Sequence, residues 1–436
     1  MIPRVQTRTL LRVLGIGFGI AVVVGGVVGQ GIMRAPGIVA AALPSAHLIL
    51  LAWAAGGLMA MIDAFALVEL GSSVPRAGGP YALAARAFGP FAGTLVGWAD
   101  WFQGVIVVAF VSVVFAEYLH RLGFLADAPV AALAIGLIAI LFALNWTGTR
   151  TSGATQSIGS LLKGLGLMAF IVLLLASPAG AAVSETKEVS PTLTLAAVAI
   201  GMRAVYNTYG GWTTSVYFCE EIHSPERNIA RATFGGIAIV TTLYVLVNAA
   251  MLHALTPQQM AASNLPAADA AAQVLGQSSG TFVTALAIVS VIAIANLFLM
   301  FLSRIGFAMA RDGALPAIFA RVSTSGTPRV SLAVTAAAAA LLTVTGGYEQ
   351  LIAMAVPTTA IVVASMDLAA IRMRHREPDL ARPFRMPFFP LPAVLGLVVN
   401  AALIAAVFYE DPLHSSLGIA LVAVIGVIYR IKGRRE

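Results

Sequence analysis

The sequence predicts an all-α integral membrane protein of about twelve transmembrane helices, and three observations predict it. Of 436 residues, 59% are hydrophobic and only 10% charged, too few to cover a soluble globule with polar surface. Apolar runs of the roughly 20 residues needed to cross a bilayer are centred near residues 24, 58, 105, 138, 166, 204, 243, 293, 337, 360, 399 and 421. The arginines alternate from one connecting segment to the next: Arg76 and Arg86, Arg150, Arg227 and Arg231, the set from Arg304 to Arg329, and the set from Arg372 to Arg385 all fall on one side. The opposite segments hold little beyond Arg121 and Lys187.

That asymmetry is the positive-inside bias. It places both termini in the cytoplasm and the chain in the cytoplasmic (inner) membrane, and it makes the net charge of +7 a matter of topology, not a nucleic-acid footprint. The start, MIPRVQTRTLLRVLG, is basic and leads into an apolar run without a clean cleavage site, so it reads as a retained first helix. Cys219 is the single cysteine and the six histidines are scattered, which predicts no disulfide, no metal site and no cofactor. No soluble domain is left over.

The first span is unusual. Between Gly15 and Ile38 it holds eight glycines and a proline, although glycine costs about 1 kcal/mol relative to alanine inside a helix. Residues 25–31 (GGVVGQG) interrupt it at bilayer depth, and residues 206–212 (YNTYGGW) do the same in the sixth span. Irregular backbone is tolerated there where it lines a cavity or binds something. Gly29 and Gly210 take corresponding places in the two spans, which fits two five-helix halves of opposite orientation. Paired interruptions of this kind point to a transporter's binding site, although close helix packing through small residues is the plainer reading of either alone. An unwound helix offers bare N–H groups to a carboxylate and bare carbonyls to an ammonium, so two such breaks could hold an α-amino acid by main chain alone.

At this level of detail the chain resembles the amino acid–polyamine–organocation superfamily of secondary transporters, close to its L-type and bacterial amino-acid permease branch. Residues 24–37 (VGGVVGQGIMRAPG) look like the family's first-helix signature. Residues 53–98 resemble its second helix, re-entrant loop and third helix. Residues 209–232 (YGGWTTSVYFCEEIHSPERNIARA) are similar to its sixth-helix motif, residues 308–316 (AMARDGALP) to its eighth-helix exit, and residues 382–387 (RPFRMP) to its loop before helix 11. The resemblance implies a five-plus-five inverted repeat with broken helices 1 and 6 and two added helices. The halves would be residues 1–180 and 181–380, with residues 381–436 as the last two helices and tail.

The family implies alternating access around a midplane site. The substrate carboxylate would meet the N–H groups around Gln30 and Gly31, beside Gly29, and its amino group the carbonyls of Val27, Asn207 and Gly210. The family usually has a small residue where this chain has Gln30, and an aromatic gate where it has Asn207. Closure then falls to Tyr206 or Tyr209, and the pocket turns toward polar cargo.

Ionisable residues inside a bilayer need a partner or a purpose. Lys163 lies inside span 5, where several family members carry a lysine in place of a bound sodium ion. It is either an ion-coupling charge or a structural cation bonded to carbonyls of the broken helix. Ser290 in span 8 is the other ion-site candidate by analogy, with helix hydrogen bonding as its simpler role, as for Asn296. Arg34 and Arg203 flank the two breaks on the outer side and read as selectivity or gate residues, or as partners of Glu117. Asp63 and Asp100 are buried carboxylates able to neutralise Lys163 or take a proton, Asp367 reads as interfacial, and Glu220 and Glu221 begin a cytoplasmic loop with Arg227 and Arg231 that reads either as a salt-bridged inner gate or as plain loop folding.

The sequence therefore predicts a sodium-independent amino-acid carrier, by proton symport or exchange, for small neutral or acidic amino acids. A polyamine carrier and a non-transporting amino-acid sensor share its site residues and stay open. An enzyme is not expected, because no HExxH, GxSxG or cysteine–histidine set is present. The partners implied are the free amino acid, protons and the lipid bilayer, with no nucleic acid and no sign of an accessory subunit.

Overall fold

A computed structural model of the chain describes residues 9–29, 31–43, 45–177, 193–345 and 348–432. Among them the regular structure is helical apart from one β-bridge, between Leu14 and Ile222. The helices are α1 (Ile16–Val27), α2 (Gly31–Ala42), α3 (Ala46–Ser73), α4 (Pro80–Phe88), α5 (Pro90–Arg121), α6 (Val130–Thr147), α7 (Thr149–Ala176), α8 (Leu195–Thr208), α9 (Pro225–Ala254), α10 (Pro257–Ala262), α11 (Pro266–Leu275), α12 (Ser279–Arg311), α13 (Arg329–Thr345), α14 (Tyr348–Arg376), α15 (Leu391–Glu410) and α16 (Pro412–Lys432). A 3-10 segment, Trp212–Phe218, follows α8.

Each of the twelve apolar centres read from the sequence falls inside a helix. Among the described residues eight helices are individually long and apolar enough to cross a membrane, and the bent pair α1–α2 makes a ninth. The centres near residues 204, 337 and 421 fall in α8, α13 and α16, which do not pass that test. In α8 the reason is the break itself, which leaves 14 residues before the 3-10 segment.

Small residues set the crossings, as expected where lipid removes the hydrophobic drive between helices. A Cβ on Gly19 would lie 2.7 Å from that of Ala232, one on Gly236 2.5 Å from Val23, and one on Gly57 2.1 Å from the Thr241 hydroxyl. α1 and α3 therefore both press on α9. The short α4 starts at Pro80, and Gly89 (φ +98°) turns the chain directly into α5. That compact re-entry brings the α4 end against α12 and the tail of α14.

One face of the molecule, the face that carries the start of α1, is tied shut by polar contacts. Leu14 N–H donates to the Glu221 carbonyl and His223 N–H to the Leu14 carbonyl, both at 2.9 Å. The Glu221 carboxylate, fully buried, accepts two bonds of 2.9 Å from Arg304, whose guanidinium also reaches the Thr149 hydroxyl. Glu220 takes Arg311 at 2.8 Å and the Ala77 N–H at 3.0 Å, and Arg76 meets Asp312 at 2.8 Å. The cations that meet the two glutamates are thus Arg304 and Arg311 of α12, not the Arg227 and Arg231 of their own loop. Sequence proximity favoured the nearby arginines, but the turn after the 3-10 segment aims both carboxylates at α12.

Candidate functional site

α1 and α2 meet at an angle of 50°, and the break between them faces the turn that ends α8. The two interruptions touch through their glycines. A Cβ on Gly26 would lie 2.7 Å from the Gly211 carbonyl oxygen, and one on Gly211 would lie 2.4 Å from that of Gly26. Gly211 also has φ +107°, a conformation costly for any side chain. Gly25 serves a different contact, since a Cβ there would fall 2.3 Å from Ser160 Oγ and 2.6 Å from Gln156 Nε2 of α7. Part of the glycine content is therefore helix packing, as the plainer reading held.

Gly29 and Gly31 instead line a cavity of about 440 Å³, together with Val27, Tyr206, Asn207, Tyr209 and Gly210. Seven of the eight residues expected at a substrate site are thus brought together. The eighth, Gln30, lies outside the described residues. Gly31 opens α2, so the unpaired N–H groups of a helix start lie at the cavity wall. Thr208 and Ile294 stand just beyond Gly31 and Gly29, 3.1 Å from where a Cβ would be, so any side chain at either glycine crowds the break. Two of the carbonyls at the interruptions share a partner: Val27 accepts from the Tyr244 hydroxyl at 2.9 Å, and the same hydroxyl reaches the Thr208 carbonyl at 3.4 Å. Tyr244, buried on α9, so pins both breaks with one phenol. It was not legible in the sequence, where a tyrosine in an apolar span has no distinguishing pattern.

Lys163 is fully buried on α7 and its ammonium donates to the carbonyls of Gly25 and Val28, each at 2.8 Å. Its contacts are main chain, and neither Asp63 nor Asp100 neutralises it. Asp63 accepts from the Tyr206 hydroxyl at 2.7 Å; Asp100 accepts from Tyr217 at 2.8 and 2.9 Å and from Gln103 at 3.2 Å. Ser290 is buried on α12 between Leu286 and Ala293, which abut Gly166 and Gly159 of α7. Lys163 lies about midway between those glycines, so the antiparallel pairing sets Ser290 at the level of the Lys163 backbone. Asn296, six residues further along α12, bonds across helices, to Gln156 at 2.9 Å and Asn145 at 2.8 Å.

Arg34 and Arg203 are both exposed, on α2 and α8, and neither is among the described residues that line the cavity. Asp367 corrects the sequence reading. It is only 2% exposed, lines the cavity with Asp63 and Asp100, and is not interfacial. Its place near the end of a span suggested the interface, but α14 runs on for nine residues past it, to Arg376.

Beyond the cavity, at the basic end of the bundle, Arg86 donates to Glu377 at 2.7 and 3.2 Å. That hydrogen bond holds the Glu377 carboxyl below the usual carboxylate range. Glu69 is gripped by Arg374 at 2.6 Å and Arg382 at 3.2 Å.

This fold and cavity agree with what the sequence is similar to. A family model described as amino acid permease matches residues 19–429. The serine/threonine exchanger SteT of Bacillus subtilis (strain 168) is 25% identical over 99% of this chain and 99% of its own. The mouse Asc-type amino acid transporter 1 is 27% identical over 97% of this chain and 82% of its own, and the human large neutral amino acids transporter small subunit 2 is 27% identical over 94% and 78%. These relatives are transporters, not enzymes. With the match running over nearly the whole chain, the protein belongs to the amino acid permease family, within the amino acid–polyamine–organocation superfamily, and is an integral membrane protein.

Proposed function

We propose that the protein is a sodium-independent carrier of small neutral amino acids across the cytoplasmic membrane, working by alternating access with both termini in the cytoplasm. The observation that carries this reading is the convergence of two interrupted helices on one cavity, with the start of α2 and the end of α8 presenting main-chain groups to the same space. An α-carboxylate meets the N–H groups at Gln30 and Gly31, beside Gly29; an α-ammonium meets the carbonyls around Val27, Asn207 and Gly210; Tyr206 and Tyr209 close over it. The similarity to a serine/threonine exchanger and the polar Asn207 favour small hydroxylated side chains. Three carboxylates on the lining, Asp63, Asp100 and Asp367, disfavour an acidic one.

In this scheme Lys163 supplies a fixed positive charge at the first break, with Ser290 on the neighbouring α12, and so takes the place of a bound sodium ion. Arg34 and Arg203 stand on the outer approach. Residues 1–180 and 181–380 form the two inverted halves and residues 381–436 the added helices. The tied basic face, closed by Arg304 on Glu221, is the inner gate in its shut position.

The test is a thermal-shift screen of the detergent-purified full chain against L-serine, L-threonine, L-alanine, L-glutamate, the corresponding carboxamides, and putrescine. A ligand at 100 times its Kd adds about 2.7 kcal/mol of apparent stability. Stabilisation by neutral free amino acids and not by their carboxamides is expected. The same lining carboxylates favour one second reading, an organic amine as cargo, and stabilisation by putrescine alone would establish it in place of the first. One relative is named a small subunit; exchange of L-serine by the purified chain alone in liposomes is expected here, and its dependence on an added subunit would contradict self-sufficiency.

A further inference from the structure

The substrate cavity has a second polar wall that the main-chain scheme does not use. Asp63 of α3 and Asp367 of α14 both face it, at 7% and 2% exposure. Asp63 Oδ2 is satisfied by the Tyr206 hydroxyl. Asp367 Oδ2, by contrast, is buried without a hydrogen-bond partner among the described residues. The carboxylates converge: a Cβ built on Gly396 of α15 would lie 2.5 Å from Asp367 Oδ2 and 3.1 Å from Asp63 Oδ1. Two acids whose oxygens crowd one point, with one oxygen orphaned, do not suit two full negative charges, since each disfavours ionisation of the other.

The charged groups on neighbouring elements do not relieve this. On α3, Glu69 is occupied by Arg374 and Arg382. On α5, Asp100 adds a third carboxylate to the cavity and is held by Tyr217 and Gln103. On α4, Arg86 is bonded to Glu377, and Arg372 of α14 lies over the Phe88 ring. On α16, His414 is bonded to Asp411. On α8 the facing group is Tyr206 itself, and on α15 Asn400 spends its amide on the Gly396 carbonyl. An ammonium ion does not fit the point at which the oxygens converge, because that point lies one covalent bond from the Gly396 Cα. A proton does.

We infer that Asp63 and Asp367 together hold one transferable proton, and that Tyr206 couples this carboxyl pair to the substrate site. The inference rests on the carrier reading above and deepens it by naming the coupling group. A proton entering from cavity water binds the pair and takes its charge from −2 to −1; its release to water on the other side restores −2. The phenol keeps its own proton throughout and donates to Asp63 in both states. Because Tyr206 adjoins Asn207 at the end of α8, its bond to Asp63 is remade or broken when that end moves to close over substrate. Occupancy by the proton and occupancy by the amino acid then favour the same arrangement.

The test uses the full chain in liposomes with two readouts. One is exchange of labelled for unlabelled L-serine without a pH gradient, which reports the substrate site and the fold. The other is net accumulation of L-serine driven by an acid exterior. One proton per neutral substrate supports about tenfold accumulation per unit of pH gradient. Asp367→Asn and Asp63→Asn are each expected to lose the gradient-driven accumulation by a far larger factor than they lower exchange, and Asp367→Glu to retain it.

Wild-type accumulation in both Asn variants, or exchange in the wild type with no response to the gradient, overturns the inference while leaving the carrier reading intact. Loss of gradient drive in Lys163→Met together with its retention in Asp367→Asn also overturns it. Should an Asn variant lose exchange as well, the wild type decides: a pH-indicator dye in weakly buffered liposomes must show protons entering with L-serine, and their absence refutes the pair. If Asp367→Asn abolishes putrescine binding and spares proton drive, the pair is an ammonium site. Absence of exchange for every amino acid in the wild type instead refutes the carrier reading itself.

Discussion

Replacing Lys163 by methionine tests whether the first break is held open by one buried cation. The side chain is fully buried and its ammonium makes bonds of 2.8 Å to the Gly25 and Val28 carbonyls, which α1 loses as intrahelical acceptors when it stops at Val27. Each bond from a charged donor contributes about 1.5–3 kcal/mol, and each carbonyl left unpaired costs about 1–3 kcal/mol. Removing the charge also removes its desolvation penalty, which offsets several kcal/mol of that loss. The net cost is then about 2–3 kcal/mol, or roughly 30- to 150-fold in the ratio of intact to frayed break. Methionine keeps the length and apolar stem, so little of the effect comes from a cavity. In a chain of this size a loss of that order lowers the thermal midpoint by about 2–3 °C. The assay is intrinsic-fluorescence melting in detergent, with and without L-serine, in sodium and in potassium buffer. We expect a lower midpoint, weaker stabilisation by L-serine, and no response of the wild type to sodium. A Lys163→Met protein with the wild-type midpoint and the wild-type serine shift would show that the ammonium neither holds the break nor shapes the site.

Three further outcomes are expected. Gly211→Ala puts a methyl 2.4 Å from a backbone oxygen at φ +107°, where no flexible side chain can yield, and should cost more than about 3 kcal/mol, seen as loss of monodisperse protein on gel filtration; Gly235→Ala, a helical site with open space around it, should be neutral or stabilise by up to about 1 kcal/mol. Glu221→Gln strands the buried Arg304 charge at a cost of about 3–5 kcal/mol, and should open the tied face enough to raise maleimide labelling of Cys219, the single and fully buried cysteine, by at least tenfold; an unchanged labelling rate would show that this ion pair does not hold the face shut. Glu377 has a folded-state value held down by Arg86, so its contribution is present above the unfolded value of about 4.3 and is lost as pH falls through the folded one. The pair is partly exposed, so Glu377→Gln should cost only about 0.2–1 kcal/mol at pH 7, with the gap from wild type narrowing on acidification below about pH 4 and in high salt.

How much of this could be read from the chain follows from the range of the forces involved. The helices were legible because apolar length is a local property that a bilayer enforces, and the two breaks because glycine at bilayer depth violates a local rule. The seven described substrate-site candidates shared that legibility: each is within a few residues of an interruption. What the sequence withheld was most of the pairing between distant segments, Lys163 on the first break excepted. Glu220 and Glu221 have Arg227 and Arg231 nearby in the chain but bond Arg311 and Arg304, since a helix end fixes direction and not proximity. Tyr244 on the two breaks and Asp367 beside Asp63 have no sequence signal at all, because nothing in the order of residues says which faces of α9, α14 and α3 meet. The glycines mark the limit most clearly: Gly25 serves packing, Gly29 and Gly31 line the cavity and Gly26 does both, and a spacing of a few residues in one span cannot assign those roles. Local composition locates a membrane site by where it breaks the rules of a bilayer, and only the packing of the other helices decides what chemistry the break encloses.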